Sequence, residues 1–320
     1  MSLKTRQPGL ARRLGATLME EQLLTGKTAL ITGGTGGIGR PTALALARLG
    51  ATTVLVGRDP VRGEAARRFV AEASGSSRVH LLQADLSSLE SIHLLAARFS
   101  EQHRHLDLLI NAAGTIERRR RLSADGIELT LAVNLVAPFV LMALLLEPLR
   151  ESAPARVINL SSREHRRGSI DPDDLEFRTR RYSASAAYSQ SKLGVILFSA
   201  ELSRRLPGAG VTVNAIHPGL TDTNFGRRGG ILSLGWTLMK PWAITPDQAA
   251  GNLLYLATSP EVAGITGAYF EQQRRVRPKP LAEDLVLATR LWDQLERLTH
   301  GASEIVNPRG SVGGVSWQSN

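Results

Sequence analysis

The chain has 320 residues, of which 42% are apolar and 21% are charged, a composition typical of a globular protein with a large buried core. It carries 39 basic and 29 acidic side chains and hence a net charge of +10. Such a balance is compatible with nucleic acid, a membrane surface or a phosphate-bearing ligand, but an arginine-rich surface is the commoner cause and is what we expect here. The chain contains no cysteine, which excludes disulfides, thiolate metal sites and a cysteine nucleophile.

Neither the N-terminus nor the apolar runs indicate insertion into a membrane. Residues 1–24 are basic and lack the apolar run of about 7–15 residues found in signal peptides, and we interpret them as an N-terminal extension. The longest apolar run, Leu135 to Leu146, contains Pro138 and is shorter than the roughly 20 residues of a membrane span. We therefore expect a cytoplasmic protein without a membrane span, while peripheral contact with a membrane stays open.

From Thr28 onward, short β-branched or leucine-rich runs alternate with longer amphipathic segments. This alternation predicts a single α/β domain over residues 25–275, a doubly wound parallel sheet with helices on both faces. The predicted strands are Thr28–Thr32, Thr52–Val56, Val79–Gln83, Leu106–Asn111, Val157–Leu160, Val211–Ile216 and Ala268–Phe270. The predicted helices are Gly37–Leu49, Val61–Ala73, Leu89–Gln102, Ala124–Arg150, Ser185–Arg205 and Pro246–Ala257. Residues 276–320 are predicted to add a last helix, Leu281–Leu298, and a disordered tail rich in Gly, Ser and Asn.

The junction between the first strand and the first helix reads LITGGTGGIGR, Leu30 to Arg40, and fits three glycine patterns. These are G-x-G-x-x-G, T-G-x-x-G-x-x-G and T-G-x-x-x-G-x-G. In each of them, glycines let the backbone turn tightly and approach a pyrophosphate at the helix N-terminus. The loop therefore predicts nucleotide binding, but by itself it leaves the three patterns open.

The end of the second strand bears on the choice of nucleotide. In NAD-binding proteins, an acidic side chain about 20 residues after the glycine loop binds the ribose 2′-hydroxyl. Here the strand ends in Gly57-Arg58-Asp59, so glycine occupies the acidic position and arginine follows it. The planar guanidinium of Arg58 suits the oxygens of a 2′-phosphate, which favours NADP(H). Asp59 is predicted to cap the next helix.

Polar residues follow the later strands, at the edge where open α/β sheets bind their ligands. They are Asp85-Leu86 after the third strand, Asn111-Ala112-Ala113-Gly114 after the fourth, Asn134 on the following helix, Ser161-Ser162 after the fifth strand, Tyr188 to Lys192 on the next helix, and His217 to Thr223 after the sixth strand. Over roughly Gly26 to Phe270, the sequence resembles the short-chain dehydrogenase/reductase family. The matching motifs are, in chain order, TGGTGGIG, D-L, N-A-A-G, N-L-S-S, Y-x-x-x-K and P-G-x-x-x-T.

The resemblance implies a Rossmann fold, a homo-oligomer and the glycine pattern T-G-x-x-x-G-x-G. It also implies a set of residues that bind NADP(H): Thr32, Gly33, Thr35, Gly37, Ile38, Gly39, Arg58, Asp85, Leu86, Asn111, Ala112, Ala113, Gly114, Tyr188, Lys192, Pro218, Gly219, Thr221 and Thr223. Ala112 and Ala137 depart from the family pattern. Because both are small, we expect altered packing near the nicotinamide rather than lost activity.

The same resemblance implies a catalytic group of four residues, Asn134, Ser162, Tyr188 and Lys192. Tyr188 and Lys192 are one helical turn apart and share a face, where the ammonium is expected to lower the tyrosine pKa from about 10. The implied roles are proton exchange with the substrate oxygen by Tyr188, a hydrogen bond to that oxygen from Ser162, binding of the nicotinamide ribose by Lys192, and a water held by Asn134. Ser162 is preferred to Ser161 because the family's catalytic serine is the second of such a pair.

The block from Arg163 to Ser183, with S-S-R-E-H-R-R-G-S-I and D-P-D-D-L, resembles the retinol dehydrogenase and protochlorophyllide reductase-like branch. That branch implies NADP(H) and a hydrophobic carbonyl or alcohol as substrate. Residues 221–245 stand at the family's substrate-lid position, and the apolar side chains between Ile231 and Ile244 would suit such a substrate, a partner or a membrane surface. A catalytically silent NADP(H)-binding sensor or scaffold protein is the alternative function.

The remaining charged features indicate no further site. The run Arg118–Arg121 is interpreted as a solvated loop near the mouth of the site rather than as an anion clamp. His165 and His217 are far apart in sequence and lack clustered acids, so we expect no metal site. The sequence contains no nucleic-acid-binding motif, and we expect no nucleic-acid partner.

Overall fold

The computed structural model describes residues 23–220 and 243–299, and these form one eight-stranded sheet. The strands are β1 Thr28–Thr32, β2 Thr52–Gly57, β3 Val79–Gln83, β4 Leu108–Asn111, β5 Ala155–Leu160, β6 Val211–His217, β7 Tyr269–Glu271 and β8 Arg274–Arg275. They lie in the order β3-β2-β1-β4-β5-β6-β7-β8. Neighbouring strands are parallel, except that β8 runs antiparallel to β7.

Helices cover both faces of this sheet. In the described part of the chain they are α1 Gly39–Arg48, α2 Pro60–Ser74, α3 Leu89–Gln102, α4 Leu129–Leu131, α5 Ala137–Leu144, α6 Leu146–Glu151, α7 Ala184–Arg205, α8 Pro246–Thr258 and α9 Leu285–Leu298. The π-helical turn Ala132–Val136 joins α4 to α5, and a 3-10 turn, Arg163–Arg167, follows β5. Helices α1, α2 and α8 pack on one face, and α3, α5, α7 and α9 pack on the other. The predicted doubly wound sheet is therefore confirmed.

The strands are apolar along their length because both faces are covered. All five residues of β1 and all four of β4 are buried, which explains why their sequences show no polar alternation. On one face, the Phe139 ring meets the Phe198 ring at 5.8 Å and the Trp292 ring at 5.0 Å, both edge to face. These contacts attach α9 to the core.

Two elements differ from the sequence prediction. The predicted single helix over Ala124–Arg150 is wrong, because the helical segment begins at Leu129 and is interrupted by the π-helical turn. Gly126, with a φ of +77°, forms a turn before it, and the buried Glu128 carboxylate caps its first backbone N–H groups. Strand β8 carries no apolar pattern that sequence could reveal, since it consists of two exposed arginines.

The carboxyl ends of the central strands lie in register. Thr32 at the end of β1 lies opposite Asn111 of β4, and Asn111 lies opposite Asn159 of β5. Loops that follow these strands therefore leave the sheet at the same edge. This edge brings together the residues that the sequence motifs single out.

Candidate active site

Tyr188 lies in the second turn of α7, where its phenol meets the hydroxyl group of Ser162 beyond the end of β5. The two side chains are hydrogen-bonded, and Tyr188 is half-buried. Burial raises the pKa of Tyr188 to about 12, opposed by the hydrogen bond with Ser162 and assisted by the negative charge of Glu164. Tyr188 is therefore a protonated phenol at neutral pH.

The adjacent serines Ser161 and Ser162 make different contacts. Ser161 is buried, and its hydroxyl donates a hydrogen bond of 2.7 Å to the backbone carbonyl of Lys192. The Ser162 hydroxyl accepts a hydrogen bond from the Glu164 N–H at 3.3 Å and contacts the Tyr188 phenol. Of the two, Ser162 is thus the serine that faces the tyrosine.

Lys192, one turn after Tyr188 on α7, is only 4% exposed. Its Nζ donates a hydrogen bond of 2.7 Å to the Leu160 carbonyl and lies 5.6 Å from the centroid of the Tyr188 ring. Burial lowers the pKa of Lys192 to about 8. The structure differs here from the sequence expectation that Lys192 lowers the pKa of Tyr188. Desolvation disfavours the charged form of each group and is the largest cause of both shifts.

Asn134 lies in the π-helical turn and is buried. Its Oδ1 accepts a hydrogen bond of 2.7 Å from the Thr115 N–H, and its Nδ2 donates to the Thr115 carbonyl and the Ser191 hydroxyl, both at 3.0 Å. The Ser191 hydroxyl in turn donates to the Tyr188 carbonyl at 2.8 Å. Asn134 is thereby connected to the segment of α7 that carries the tyrosine and the lysine.

The glycine loop between β1 and α1 contains two residues in the left-handed region, Gly33 with a φ of +69° and Gly37 with a φ of +52°. A Cβ at Gly33 would also lie 3.0 Å from the Ala113 backbone, so glycine permits this close approach. At Gly36, by contrast, a Cβ would meet only Nη2 of Arg62, at 3.9 Å. The loop thus has an open face next to the N-terminus of α1.

The loop is also packed closely against the end of β2. Gly39 begins α1, after Ile38, and a Cβ at Gly39 would lie 2.8 Å from the carbonyl carbon of Gly33. A Cβ at Gly57 would lie 2.7 Å from the Thr35 hydroxyl oxygen. The Thr35 side chain therefore occupies the space that an acidic side chain at the end of β2 would need.

Arg58 is exposed and borders a groove of about 320 Å³ at the ends of β2 and β3. The groove is lined by Arg58, Gln83, Ala84, Asp85, Ser91, Leu94 and Arg98. The Asp85 carboxylate accepts hydrogen bonds from the N–H and the hydroxyl of Ser87, at 2.9 and 2.7 Å, and so shapes the turn that contains the half-buried Leu86. The predicted helix cap at Asp59 is confirmed, because its carboxylate accepts a hydrogen bond of 3.0 Å from a backbone N–H of α2.

The N-A-A-G run begins at the buried Asn111, whose Nδ2 donates a hydrogen bond of 2.8 Å to the Asn159 side chain. The Oδ1 atom of Asn111 is buried and has no hydrogen-bond partner within residues 23–220 and 243–299. The Ala113 N–H donates to the Thr32 hydroxyl at 3.2 Å, which joins this run to the glycine loop. The run passes from half-buried to exposed along Ala112, Ala113 and Gly114.

The segment after β6 is positioned by α8. The Pro218 carbonyl accepts a hydrogen bond of 2.8 Å from the Asn252 side chain. Gly219 has a φ of +110°, and a Cβ there would lie 3.0 Å from Cγ1 of Ile244. The described residues do not include Thr221, Thr223 and the remainder of the predicted lid through residue 242.

The run Arg118–Arg121 is exposed, as its interpretation as a solvated loop expects. Two of its members are nevertheless attached to neighbouring segments. Arg120 donates to the Glu176 carbonyl at 2.8 Å, and Arg121 forms an ion pair with Glu117 at 3.5 Å. The run is therefore tied to the block inserted between β5 and α7.

Sequence patterns do not single out Arg62 or Ser191, although both lie at this site. Arg62 borders the open face of the glycine loop, and its place in the first turn after Arg58 is a signal that could reveal it. Ser191 has no such signal, because its partner Asn134 is 57 positions away in the sequence.

Residues 23–220 and 243–299 lack two features that would point to another kind of site or location. These residues contain no group of three or more His, Asp or Glu side chains that could hold a metal ion. None of their helices is both long enough and apolar enough to span a membrane.

A profile of the short chain dehydrogenase family matches residues 27–229. Human retinol dehydrogenase 13 is 42% identical over 294 residues, which cover 89% of this chain and 88% of that protein. Mouse polyprenol dehydrogenase is 38% identical over 304 residues, which cover 91% of this chain and 88% of that protein. Among solved structures, a short chain dehydrogenase from Burkholderia cenocepacia in complex with NADP is 27% identical and aligns with a TM-score of 0.62, over 78% of this chain and 96% of that chain.

Proposed function

The chain belongs to the short-chain dehydrogenase family, in its retinol dehydrogenase-like branch, and we propose that it transfers a hydride between NADP(H) and the carbonyl or alcohol carbon of a hydrophobic small molecule. The observation that carries this proposal is the contact of the protonated Tyr188 with Ser162, next to the buried Lys192. A nucleotide-binding loop alone indicates only binding. Tyr188 and Ser162 add a proton donor and a hydrogen-bond donor that lie next to each other.

Tyr188 and Ser162 would act on the substrate oxygen. When bound, the nicotinamide supplies or accepts the hydride. In the reducing direction the phenol of Tyr188 donates its proton to the carbonyl oxygen, because this group is protonated at neutral pH. The Ser162 hydroxyl donates a hydrogen bond to the same oxygen and stabilises its developing negative charge. In the oxidising direction Tyr188 would first pass its own proton to a neutral Lys192, and the resulting phenolate would accept the proton of the alcohol.

Lys192 would return a proton to the tyrosine and bind the nicotinamide ribose. Its ammonium group has three N–H donors, of which one is used by the Leu160 carbonyl. With a pKa of about 8, the group exchanges protons close to neutral pH. The Asn134 side chain is occupied by Thr115 and Ser191. A water that links the lysine to solvent would therefore bind the Asn134 backbone rather than its amide.

The glycine loop fits the phosphates of NADP(H). Its open face at Gly36 lies at the N-terminus of α1, where backbone N–H groups favour an anion. Arg62 stands at this face, and Arg58 borders the groove at the ends of β2 and β3. Both arginines would pair with the 2′-phosphate. Thr35 fills the space beside Gly57 where an NAD site would carry an acidic side chain, which supports NADP(H) over NAD(H).

The other proposed cofactor residues lie along the same strand ends. Asp85 and Leu86 would border the adenine at the end of β3. The segments after β4 and β6 would border the nicotinamide half, with Asn111, Ala112, Ala113, Gly114, Pro218 and Gly219. Thr221 and Thr223 complete the proposed set on sequence grounds.

A hydrophobic substrate is supported by the relatives and by the sequence. The relatives are a retinol dehydrogenase and a polyprenol dehydrogenase, and both names specify lipophilic alcohols. The sequence between Ile231 and Ile244 is apolar and stands where the family carries its substrate lid.

The proposal is tested by NADPH oxidation with hydrophobic ketones, aldehydes and quinones, and by NADP⁺ reduction with the matching alcohols. We expect turnover by the wild type and a loss of about 100-fold or more in Tyr188→Phe, since the variant lacks the acid–base group. NADPH binding should persist in that variant. Tyr255→Phe, on α8 and hydrogen-bonded to Glu261, serves as the control and should keep full activity.

Two outcomes would contradict the proposal. NADPH binding without turnover of any compound would favour the sensor or scaffold function. Full activity of Tyr188→Phe with a confirmed substrate would refute the mechanism.

We further propose that residues 25–275 form the catalytic domain, and that the protein is a cytoplasmic homo-oligomer. Sedimentation velocity would measure the oligomeric state, and cell fractionation would test the location.

A further inference from the structure

His165 lies at the centre of the turn Arg163–Arg167, directly after Ser162, and its side chain is 0% exposed. This burial is unusual for a residue in so polar a turn, whose arginines are exposed. The ring packs edge to face against the Tyr269 ring of β7, with 4.8 Å between the centroids. Burial lowers the pKa of His165, so its imidazole is neutral at physiological pH.

The polar partner of this ring is the backbone of Ser162. His165 Nδ1 lies 2.7 Å from the Ser162 carbonyl oxygen, and the His165 N–H donates to the same oxygen at 3.0 Å. A neutral imidazole that faces a carbonyl must present its N–H, which places the proton on Nδ1. The Nε2 atom then carries a lone pair, and it has no hydrogen-bond partner among the residues that the structure describes.

The sheet itself does not hold the Ser162 carbonyl. Strand β5 ends at Leu160, and the Ser161 N–H continues the pairing with a hydrogen bond of 2.8 Å to the Ile216 carbonyl. One residue later, the hydrogen bonds that the Ser162 carbonyl accepts come from His165. The orientation of Ser162 therefore depends on the turn that follows it.

That turn is held on two sides. Arg163 and Arg166 both form ion pairs with Glu271 at the end of β7, at 3.0 and 2.8 Å. On the other side, Gly168 approaches α7 so closely that a Cβ there would lie 2.8 Å from the carbonyl carbon of Ser189. Ser189 directly follows the tyrosine of the proposed catalytic group. Ion pairs and close packing thus connect this turn to the sheet edge on one side and to α7 on the other.

We propose that His165 is a positioning residue, which donates its Nδ1 hydrogen to the Ser162 carbonyl and thereby holds the Ser162 hydroxyl against Tyr188 and the substrate oxygen. This proposal rests on the proposed function, because it depends on the stabilising role of Ser162. Without the Nδ1 donor, the backbone N–H of residue 165 is the one remaining partner of the Ser162 carbonyl among the contacts described above. The Ser162 hydroxyl is then held less firmly at the point where negative charge develops on the substrate oxygen.

The test compares two substitutions. His165→Leu removes the donor, whereas His165→Asn keeps an N–H donor that is the same number of bonds from Cα. We expect His165→Leu to lower kcat about 10-fold or more, which is less than the ~100- to 1,000-fold loss when such a donor is deleted outright. The KM and Kd for NADPH should not change. His165→Asn should recover most of the lost kcat.

A double variant separates positioning from a general structural role. In a Ser162→Ala background, His165→Leu should cause little further loss of kcat, because residues that act through one group are not additive. A full second loss in the double variant, or wild-type kcat in His165→Leu, would overturn this proposal and leave the proposed function intact. Absence of turnover by the wild-type protein would instead overturn both.

Thermal unfolding and NADPH affinity establish whether each variant is folded. If His165→Leu does not fold, His165→Gln takes its place, since glutamine holds the donor one bond farther from the backbone. A second measurement does not depend on turnover. In the ¹⁵N NMR spectrum of the wild-type imidazoles, the His165 signals are identified as those that are lost in His165→Asn. We expect a protonated Nδ1 and an unprotonated Nε2 at a pH slightly below the ordinary value of 6.5. A proton on Nε2 with a bare Nδ1 would overturn the proposal.

Discussion

Lys192 Nζ lies 5.6 Å from the centroid of the Tyr188 ring while it donates a hydrogen bond of 2.7 Å to the Leu160 carbonyl. The carbonyl at the end of β5 therefore holds the ammonium beside the phenol. Burial moves the two pKa values in opposite directions, to about 12 for Tyr188 and about 8 for Lys192. Each shift favours the neutral form, so the phenol keeps its proton and is prepared to act as an acid.

The pH dependence of carbonyl reduction follows from these two values. Lys192 loses its proton as the pH rises through about 8, whereas Tyr188 keeps its proton until about pH 12. We therefore expect kcat/KM for reduction to fall above about pH 8. Lys192→Arg should be slower at every pH, because a guanidinium cannot return a proton to Tyr188, but its rate should not decrease above pH 8, because the guanidinium stays charged over the whole range. The pH profiles of the wild type and of Lys192→Arg are measured as initial rates of NADPH oxidation. A flat wild-type profile up to about pH 10 would contradict the expected decrease.

Arg58→Gln is expected to raise the KM for NADPH by about 10- to 100-fold, since a charge-assisted hydrogen bond contributes about 1.5–3 kcal/mol. The KM for NADH should not change, because NADH has no 2′-phosphate. Arg68→Gln is the matched control, an exposed arginine on α2 that pairs with Glu64. Steady-state kinetics with both cofactors measure the effect. An equal rise for NADPH and NADH would argue against contact between Arg58 and the phosphate.

Two glycine substitutions distinguish cofactor binding from folding. Gly36→Ala adds a methyl group on the open face, so we expect the free energy of unfolding without NADPH to change by less than ~1 kcal/mol. NADPH affinity should fall about 10-fold or more, since the methyl group would obstruct the pyrophosphate. Gly33→Ala should instead destabilise the free protein by about 1–2 kcal/mol or more, because of its positive φ and its contact with Ala113.

Urea unfolding and NADPH fluorescence titration measure these two effects separately. Unchanged NADPH affinity in a stable Gly36→Ala variant would show that the open face does not bind the cofactor.

The stability of the protein is expected to decrease in acid because of His217. This residue is 6% exposed, and burial, assisted by the positive charge of Arg163, lowers its pKa to about 4. The unfolded chain, with an ordinary pKa of 6.5, binds the proton more readily, so the free energy of unfolding falls as the pH decreases from 6.5 to about 4. The shift corresponds to a loss of about 3 kcal/mol at most.

His217→Gln should remove part of this pH dependence, since glutamine does not titrate. Urea unfolding at neutral and acidic pH measures the difference. The same slope in the variant and the wild type would mean that His217 titrates normally.

The motif residues of the described chain lie together at one edge of the sheet, and the sequence could predict this because the motifs are short and local. Tyr188 and Lys192 are one helical turn apart, so a helix places them on one face whatever the rest of the fold does. It is harder to predict from sequence which of Ser161 and Ser162 faces Tyr188, since both serines follow the same strand. What separates them is the hydrogen bond of Ser161 to a carbonyl 31 residues away, which no local pattern reveals.

The pKa of Tyr188 could not be predicted from the sequence. The nearby positive charge of Lys192 alone predicts a lower pKa. In the structure, the phenol lies beside Ser162 and Glu164, and desolvation raises its pKa to about 12. The helical segment that contains Asn134 shows the same limit of prediction from sequence, because the Glu128 carboxylate that caps its start is buried and also accepts a hydrogen bond from Tyr182, 54 residues away.

The sequence by itself determined the order of β1 to β7 and of the main helices around them, the glycine turn after β1 and the edge at which the polar residues gather. These properties depend on hydrophobic periodicity and on backbone conformations that a few neighbouring residues control. Only the tertiary structure decided which serine meets Tyr188, which proton forms the buried groups prefer, and how His165 holds the Ser162 carbonyl. Those properties depend on exclusion of water and on hydrogen bonds between distant segments, and both arise only when the whole chain is packed.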